Sequence, residues 1–174
     1  MYSYLSLLFS LLFPLGCATK NIDIKHFAVQ QPSSKWFEIK EGGADFAWYN
    51  KEIFGAIYVD SNCKQKFEDR PLKDSYLSLT QGIATGTPIQ QNKRIIDKRE
   101  ALFTIQNGII DGISIRLASV VLSKDECLYD FLYIAPPEDF DKGLKDFLYS
   151  VQSFSTSSQK TKGLPKPKNK DNQN

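Results

Sequence analysis

The residues of this chain whose types could carry chemistry are few: three cysteines, one histidine and two short clusters of acids. Acid–base catalysis needs carboxylates, histidine or lysine converging in a cleft. Glu138, Asp139 and Asp141 are close in sequence, but they follow Pro136-Pro137, where negative charge compensates the start of a helix. Asp125-Glu126 reads as a charged turn. His26 stands alone in a polar stretch and reads as a solvated side chain. No two cysteines have the spacing of a zinc site, and neither a phosphate-binding glycine loop nor Gly-x-Ser-x-Gly occurs. The expectation is a protein without catalytic residues, metal or cofactor. What remains is the thiols of Cys17, Cys63 and Cys127.

Cys17 ends an apolar run. Residues 2–15, YSYLSLLFSLLFPL, carry no charge and are shorter than the roughly 20 apolar residues a membrane span requires. They have the length of the apolar part of an export signal. The run closes on Pro14-Leu15-Gly16-Cys17, which resembles the lipobox of bacterial lipoproteins: Leu, a small residue, Gly or Ala, then Cys. Pro14 stands where Leu is usual, Leu15 is larger than the usual residue, and no Lys or Arg precedes the apolar run. The resemblance implies a signal peptide over 1–16 and lipidation of Cys17, with diacylglyceryl and a fatty acid such as palmitate. It implies a periplasm-facing protein of the cell envelope held on a membrane by lipid. No Asp follows Cys17, which under enterobacterial sorting implies the outer membrane. The alternatives are an uncleaved anchor, an ordinary secretory signal, and a buried helix with a chance cysteine.

Export would place the domain in an oxidising compartment, where paired cysteines tend to be bridged. With Cys17 taken by lipid, one pairing remains, Cys63 with Cys127. Both follow or begin strand-like segments, so the bridge demands that these strands be neighbours, with Cα atoms within about 7 Å. Two separate buried thiols are the alternative.

The elements that must position these residues can be read from periodicity. Residues 17–34, with Pro32-Ser33-Ser34 as a terminating cluster, read as a tether, and 35–156 as one α+β domain. Strands are expected at Trp36–Ile39, Phe46–Tyr49 and Ile53–Asp60, with Gly55 marking a bulge. Pro71 opens a helix in which Leu72, Tyr76, Leu79 and Ile83 share a face. Gly86-Thr87-Pro88 breaks the chain. Strands follow at Ile89–Asp97, Glu100–Gln106, Ile113–Leu122 and Cys127–Ala135. Asn107-Gly108 and Asp111-Gly112 compete as the turn between two of them. A second helix carries the apolar stripe Phe140, Leu144, Phe147, Leu148 and Val151, and Phe154 closes the core. Residues 157–174 have no apolar periodicity and read as a disordered basic tail.

Hydrophobic residues make up 41% of the 174, enough for a core, and the formal net charge is +2. Lys160, Lys162, Lys166, Lys168 and Lys170 against Asp171 give 160–174 a net +4, so the domain itself is slightly acidic. No basic face for nucleic acid is implied. The tail could touch anionic lipid or cell wall, against the plainer reading of a solvated, inert segment. Trp36, Phe46, Trp48, Tyr58, Tyr129, Phe131 and Tyr133 could line a ligand pocket, against the plainer reading of core packing.

Three strands, helix, four strands, helix implies a mostly antiparallel sheet of six to seven strands sandwiched by two amphipathic helices. That order, the early Trp36-Phe37 strand and the close Val151-Gln152-Ser153-Phe154 resemble the PsbP-like fold, over roughly residues 35–155. The segment Cys127-Leu128-Tyr129-Asp130-Phe131-Leu132-Tyr133-Ile134-Ala135-Pro136-Pro137 also resembles a stretch of uncharacterised proteobacterial lipoproteins. PsbP-like domains serve as assembly factors, extrinsic subunits and binding modules, and no functional residue of the family carries over. The resemblance implies a non-catalytic accessory, assembly or binding subunit of an envelope complex with an unknown protein partner. The alternative is a lipoprotein that binds lipid or a small molecule.

Overall fold

The computed structural model describes residues 26–40, 43–63 and 68–156. Cys17, the apolar run before it and the basic segment 157–174 lie outside the described residues. Seven strands form one antiparallel sheet: β2 (Phe37–Glu38), β3 (Phe46–Asn50), β4 (Gly55–Cys63), β5 (Ala84–Ile96), β6 (Arg99–Ile110), β7 (Ile113–Lys124) and β8 (Cys127–Ala135), in the order β2-β3-β4-β8-β7-β6-β5. Helices α1 (Leu72–Leu79) and α2 (Phe140–Gln152) lie on opposite faces. Two-residue strands β1 (Phe27–Ala28) and β9 (Ser155–Thr156) pair with each other in a small second sheet. The expected α+β sandwich is what forms.

Burial alternates along β8, where Tyr129, Phe131, Tyr133 and Ala135 are buried and Asp130, Leu132 and Ile134 only partly so. That period of two assigns the odd-numbered side chains of β8 to the α2 face. There they meet Ile57 and Val59 of β4, Val120 and Leu122 of β7, Phe103 of β6, and Phe140, Phe147 and Val151 of α2. The core is a ring cluster: Tyr133 stacks on Phe140 and Phe147 at 5.1 and 5.8 Å, and Phe154 meets Tyr129 edge-on at 4.7 Å. The buried Tyr133 hydroxyl donates to the Phe140 carbonyl at 2.9 Å. Of the seven aromatics with two possible readings, Trp36, Trp48, Tyr129, Phe131 and Tyr133 are core residues, and Phe46 and Tyr58 are partly buried.

Three details depart from the sequence reading. The stretch expected as a tether is docked over its described part. Phe27 is buried against Phe46, Tyr129 and Phe154, and Gln30 is fixed to α2 by bonds with Ser150, Ser153 and Tyr149. The domain therefore begins near Phe27, not at 35. Second, Asn107-Gly108 is not a turn. The hairpin turns at Asp111-Gly112, both with positive φ (50° and 80°), as a two-residue loop favours. Gly108 is needed because the start of β5 crosses over it: a Cβ there would come within 2.7 Å of the Ile83 carbonyl oxygen. Third, Gly86-Thr87-Pro88 does not end a strand; β5 runs through it, with a register shift between Thr85 and Gln90. Gly55 marks no bulge but opens β4, close to Ile53 and Tyr133.

Gly143 sets how closely α2 approaches the sheet. A Cβ at this position would collide with the Tyr133 hydroxyl and lie within 2.7 Å of Ile53 Cδ1. Alanine in a helix is worth about 1 kcal/mol over glycine, but overpacking costs about 1–3 kcal/mol. Gly143→Ala is therefore expected to lose stability, by about 1–2 kcal/mol, in urea unfolding followed by circular dichroism; a gain would mean that α2 has room to retreat.

A candidate docking face

Cys63 and Cys127 are direct cross-strand partners at the end of the β4–β8 ladder and are joined by a disulfide, with Cα atoms 4.1 Å apart. Two thiols brought to one register position in this way form a structural staple. The bridge closes a loop of 64 residues, for which chain-entropy arguments give about 4 kcal/mol. Replacing both cysteines by serine is expected to lower unfolding free energy by about 2–4 kcal/mol, read from the urea midpoint; an unchanged midpoint would show that the β4–β8 ladder alone holds the seam.

The two faces of the sheet are covered unequally. On one, α2, Phe27, Trp36 and Phe154 seal the rings. On the other, α1 is only eight residues long and lies over β6 and β7, where Tyr76 joins Val121 and Leu128. The Tyr76 hydroxyl donates to Gln106 Oε1, and Gln106 Nε2 donates to the carbonyls of Thr85 and Gly86 at 3.3 and 2.7 Å. This arch from α1 into β5 buries Ile115 and Leu117 of β7. Farther along the same face, Tyr49 of β3, Ala56 and Tyr58 of β4, and Leu132 and Ile134 of β8 are each partly exposed. The register aligns them: Tyr58 opposes Leu132, Ala56 opposes Ile134, and Tyr49 opposes Ala56. They form one apolar strip beside α1.

At the border of this strip the ladder sets Asp60 directly opposite Asp130. Like charges so placed repel. Burial, reinforced by Asp60 and partly offset by Arg70, pushes the Asp130 carboxyl up to about 6. Among the described residues its Oδ1 and the fully buried Ser119 hydroxyl, a diagonal neighbour on the same face, have no hydrogen-bond partner. Arg70 itself bonds to the Ser75 hydroxyl at 3.2 Å. The sequence reading missed this pair, because the two aspartates are 70 residues apart and only strand order joins them. A polar residue at a position between Tyr129 and Phe131 was the available signal.

The acids that the sequence singled out do not converge. Asp139 pairs with Lys142 at 2.5 Å, and Asp125 accepts from the Thr156 hydroxyl at 3.0 Å. His26 is half-buried beside β1. A cleft of about 610 Å³ between the Ser33–Lys35 stretch and α2 is lined by Lys35, Glu52, Lys142 and Asp146. Its two lysines balance its two acids, Lys35 bonds Glu52 at 3.3 Å, and Asp146 accepts from Ser33 and the Trp36 indole at 3.0 and 2.9 Å. Among the described residues no three His, Cys, Asp or Glu side chains are placed to hold a metal ion, and no helix is long and apolar enough to cross a membrane.

A carboxyl raised on folding holds its proton where the unfolded chain has lost it. Between the ordinary aspartate value of about 4 and about 6 the native state binds more protons, so stability falls as pH rises through that window and stays lowered above it. Asp130→Asn is expected to flatten this slope and to add on the order of 1–2 kcal/mol at pH 7. Melting temperatures of both proteins from pH 4 to 7 test this; parallel curves would mean that Asp130 is not the group responsible.

No protein-family model matches the sequence, and no curated protein matches it. Solved structures do match its fold. PsbP of the cyanobacterium Synechocystis (CyanoP) superposes with a TM-score of 0.51 at 12% identity, covering 83% of this chain and 100% of that one. LpqN of Mycobacterium tuberculosis, described as involved in cell envelope biogenesis, gives 0.52 at 7% identity over 75% of this chain and 83% of its own. A structure from Bacteroides thetaiotaomicron gives 0.56 at 10% identity, covering 77% of this chain, which spans 46% of that protein's length. The fold is PsbP-like.

Proposed function

We propose that this protein is a lipid-anchored envelope lipoprotein that works without catalysis, as a binding or assembly subunit that receives a partner protein on the apolar strip beside α1. The observation that carries the reading is the unequal covering of the sheet. A strip of Tyr49, Ala56, Tyr58, Leu132 and Ile134 is continuous across three strands and partly open, and an apolar patch of this kind is ordinarily a contact surface. Lipid at Cys17 would supply the anchor, the periplasm-facing side of the envelope the compartment, and the outer membrane the site that the sorting pattern implies. LpqN, similar in fold and involved in envelope biogenesis, supports the envelope setting. The ring-filled core, and the paired Lys35 and Glu52 in the cleft beside α2, favour a protein partner over a small ligand.

The test is site-specific crosslinking in the native host. A photoreactive residue at Tyr58 is expected to give one discrete adduct, and the same residue at Tyr149, 52% exposed on the outer side of α2, to give none. No adduct at Tyr58, or equal adducts at both positions, would refute the docking face. Mass spectrometry of the same material tests the anchor: the expected N-terminus is an acylated Cys17, and an intact, unmodified 1–17 segment would sink it.

A further inference from the structure

The large sheet has two unlike edges. One is β2, only two residues long; the other is β5, which runs for 13 and, among the described residues, pairs with β6 alone. The β5–β6 hairpin turns at Asp97-Lys98, both with positive φ (44° and 65°), and Ile96 and Arg99 close it. A two-residue loop closes on a hydrogen-bonded pair, and bonding alternates from there along the strands. Asn92, Arg94 and Ile96 therefore bond to β6, while Gln91, Lys93 and Ile95 turn their backbone N–H and C=O groups outward. Such a row is a template for one more strand. Pro88 and the register shift before Gln90 guard only its beginning.

The side chains say which strand fits. Ile89 and Ile95 are 57% and 67% exposed and stand equally far from Asn92 in sequence. Two copies of β5, antiparallel about a twofold axis at Asn92, oppose Ile89 with Ile95, Gln90 with Arg94, and Gln91 with Lys93. Apolar then meets apolar, and no like charges face each other. Slid two residues one way, Lys93 would oppose Lys93, which repels. Slid two the other way, Ile89 would oppose Lys93 and Ile95 would oppose Thr87. The register also suits the backbone: the outward groups of Gln91 meet those of Lys93 as a hydrogen-bonded pair, and Asn92 meets Asn92 at a non-hydrogen-bonded position. Lys93 is held by Glu100 of its own β6 at 2.9 Å, which offsets its charge near the axis. Pro88, without a donor, falls opposite Ile96 where the ladder ends.

We propose that the β5 edge binds a second copy of this chain, antiparallel and centred on Asn92, so that the two large sheets join into one. The contact is isologous: each copy offers the same patch, and the twofold axis closes the pair without leaving a free edge at this side. That axis stands normal to the sheet. Both α2 faces, with Phe27 docked on them, therefore lie on one side of the dimer, and both apolar strips beside α1 lie on the other. The pairing does not depend on the lipid anchor or on the strip having a partner, since it uses neither.

Cysteine placed along β5 of the full chain, in its host cells, reads the register. Gln90 and Asn92 are exposed and Arg94 is half-buried, so the fold tolerates the changes. At the axis the two Asn92 Cα atoms would lie about 4.5 Å apart, within reach of a disulfide. Residues 90 and 90, or 94 and 94, would lie about 14 Å apart, four residues out of register. After oxidation with diamide, Asn92→Cys is expected to give at least about five times more linked dimer than Gln90→Cys or Arg94→Cys alone, because only its pair is in range. Chains with Gln90→Cys are expected to link to co-expressed chains with Arg94→Cys, and mass spectrometry of the linked peptides identifies each bridge. An Asn92→Cys chain that stays monomeric, or that links to a different protein, would overturn the proposal. Equal self-linking at all three positions would overturn it too, since that is the mark of random collision.

Discussion

The structure depends on one non-local pairing. Every other neighbouring pair in the large sheet follows in sequence: β2-β3-β4 is one meander and β5-β6-β7-β8 another. Only β4 against β8 joins them, through eight residue pairs from Ala56↔Ile134 to Cys63↔Cys127. Closing so long a loop costs entropy before any contact repays it. The repayment is concentrated at this seam, where Ile57, Val59, Phe131 and Tyr133 are completely buried under α2. The disulfide terminates the same ladder and lowers the entropy of the unfolded chain for the same closure.

The seam also sorts the side chains. Because successive residues of a strand point to opposite faces, fixing Val59 opposite Phe131 sends both rings and branched chains toward α2 and simultaneously sends Tyr58, Leu132, Asp60 and Asp130 to the other face. A slip of β8 by one residue would turn Asp130 toward the rings. The register that builds the core thus creates the acid pair as a by-product. The cost of a raised Asp130 is small against the burial of four large side chains, and Arg70 partly offsets it.

Legibility in the sequence followed the range of the physics. The apolar stripe of α2, the strands β7 and β8, and the α+β class were legible because their signals are periodic and local. The Cys63–Cys127 bridge was reached by elimination. What was not legible depended on contacts between distant segments. Phe27 and Val29 alternate as a strand does, but two residues of pairing with β9 leave no stretch long enough to stand out against the polar residues around them. At Asn107-Gly108 the local turn signal was real, and the glycine had a different cause: the crossing of Ile83. In β5 the glycine and proline that break a central strand are tolerated because this is an edge strand, where a missing backbone donor faces no partner. Of the candidate face, Tyr58 was visible as an aromatic with two readings, and Leu132 and Ile134 lay within the strand expected at Cys127–Ala135. They stay partly exposed because α1 lies over β6 and β7; the helix ends at Leu79, where periodicity had carried its stripe to Ile83. Gly82, with φ of 80°, turns the chain there.

The chain turns through Thr80–Ile83 and runs back as β5, so that its polar arch closes over β6 and β7. The Thr80 hydroxyl bonds the Tyr76 carbonyl at 2.9 Å and the Thr80 amide bonds the same group at 3.1 Å, which satisfies the end of the helix without further turns. The strip over β3, β4 and β8 is left open because α1 lies over β6 and β7, and it is kept in register by the distant β4–β8 seam. A partner that covers it would complete the layer that α1 only begins, against a surface whose strands the disulfide and the ring core already hold rigid. Such a surface loses little entropy on binding, which is the physical advantage of presenting a sheet face and not a loop.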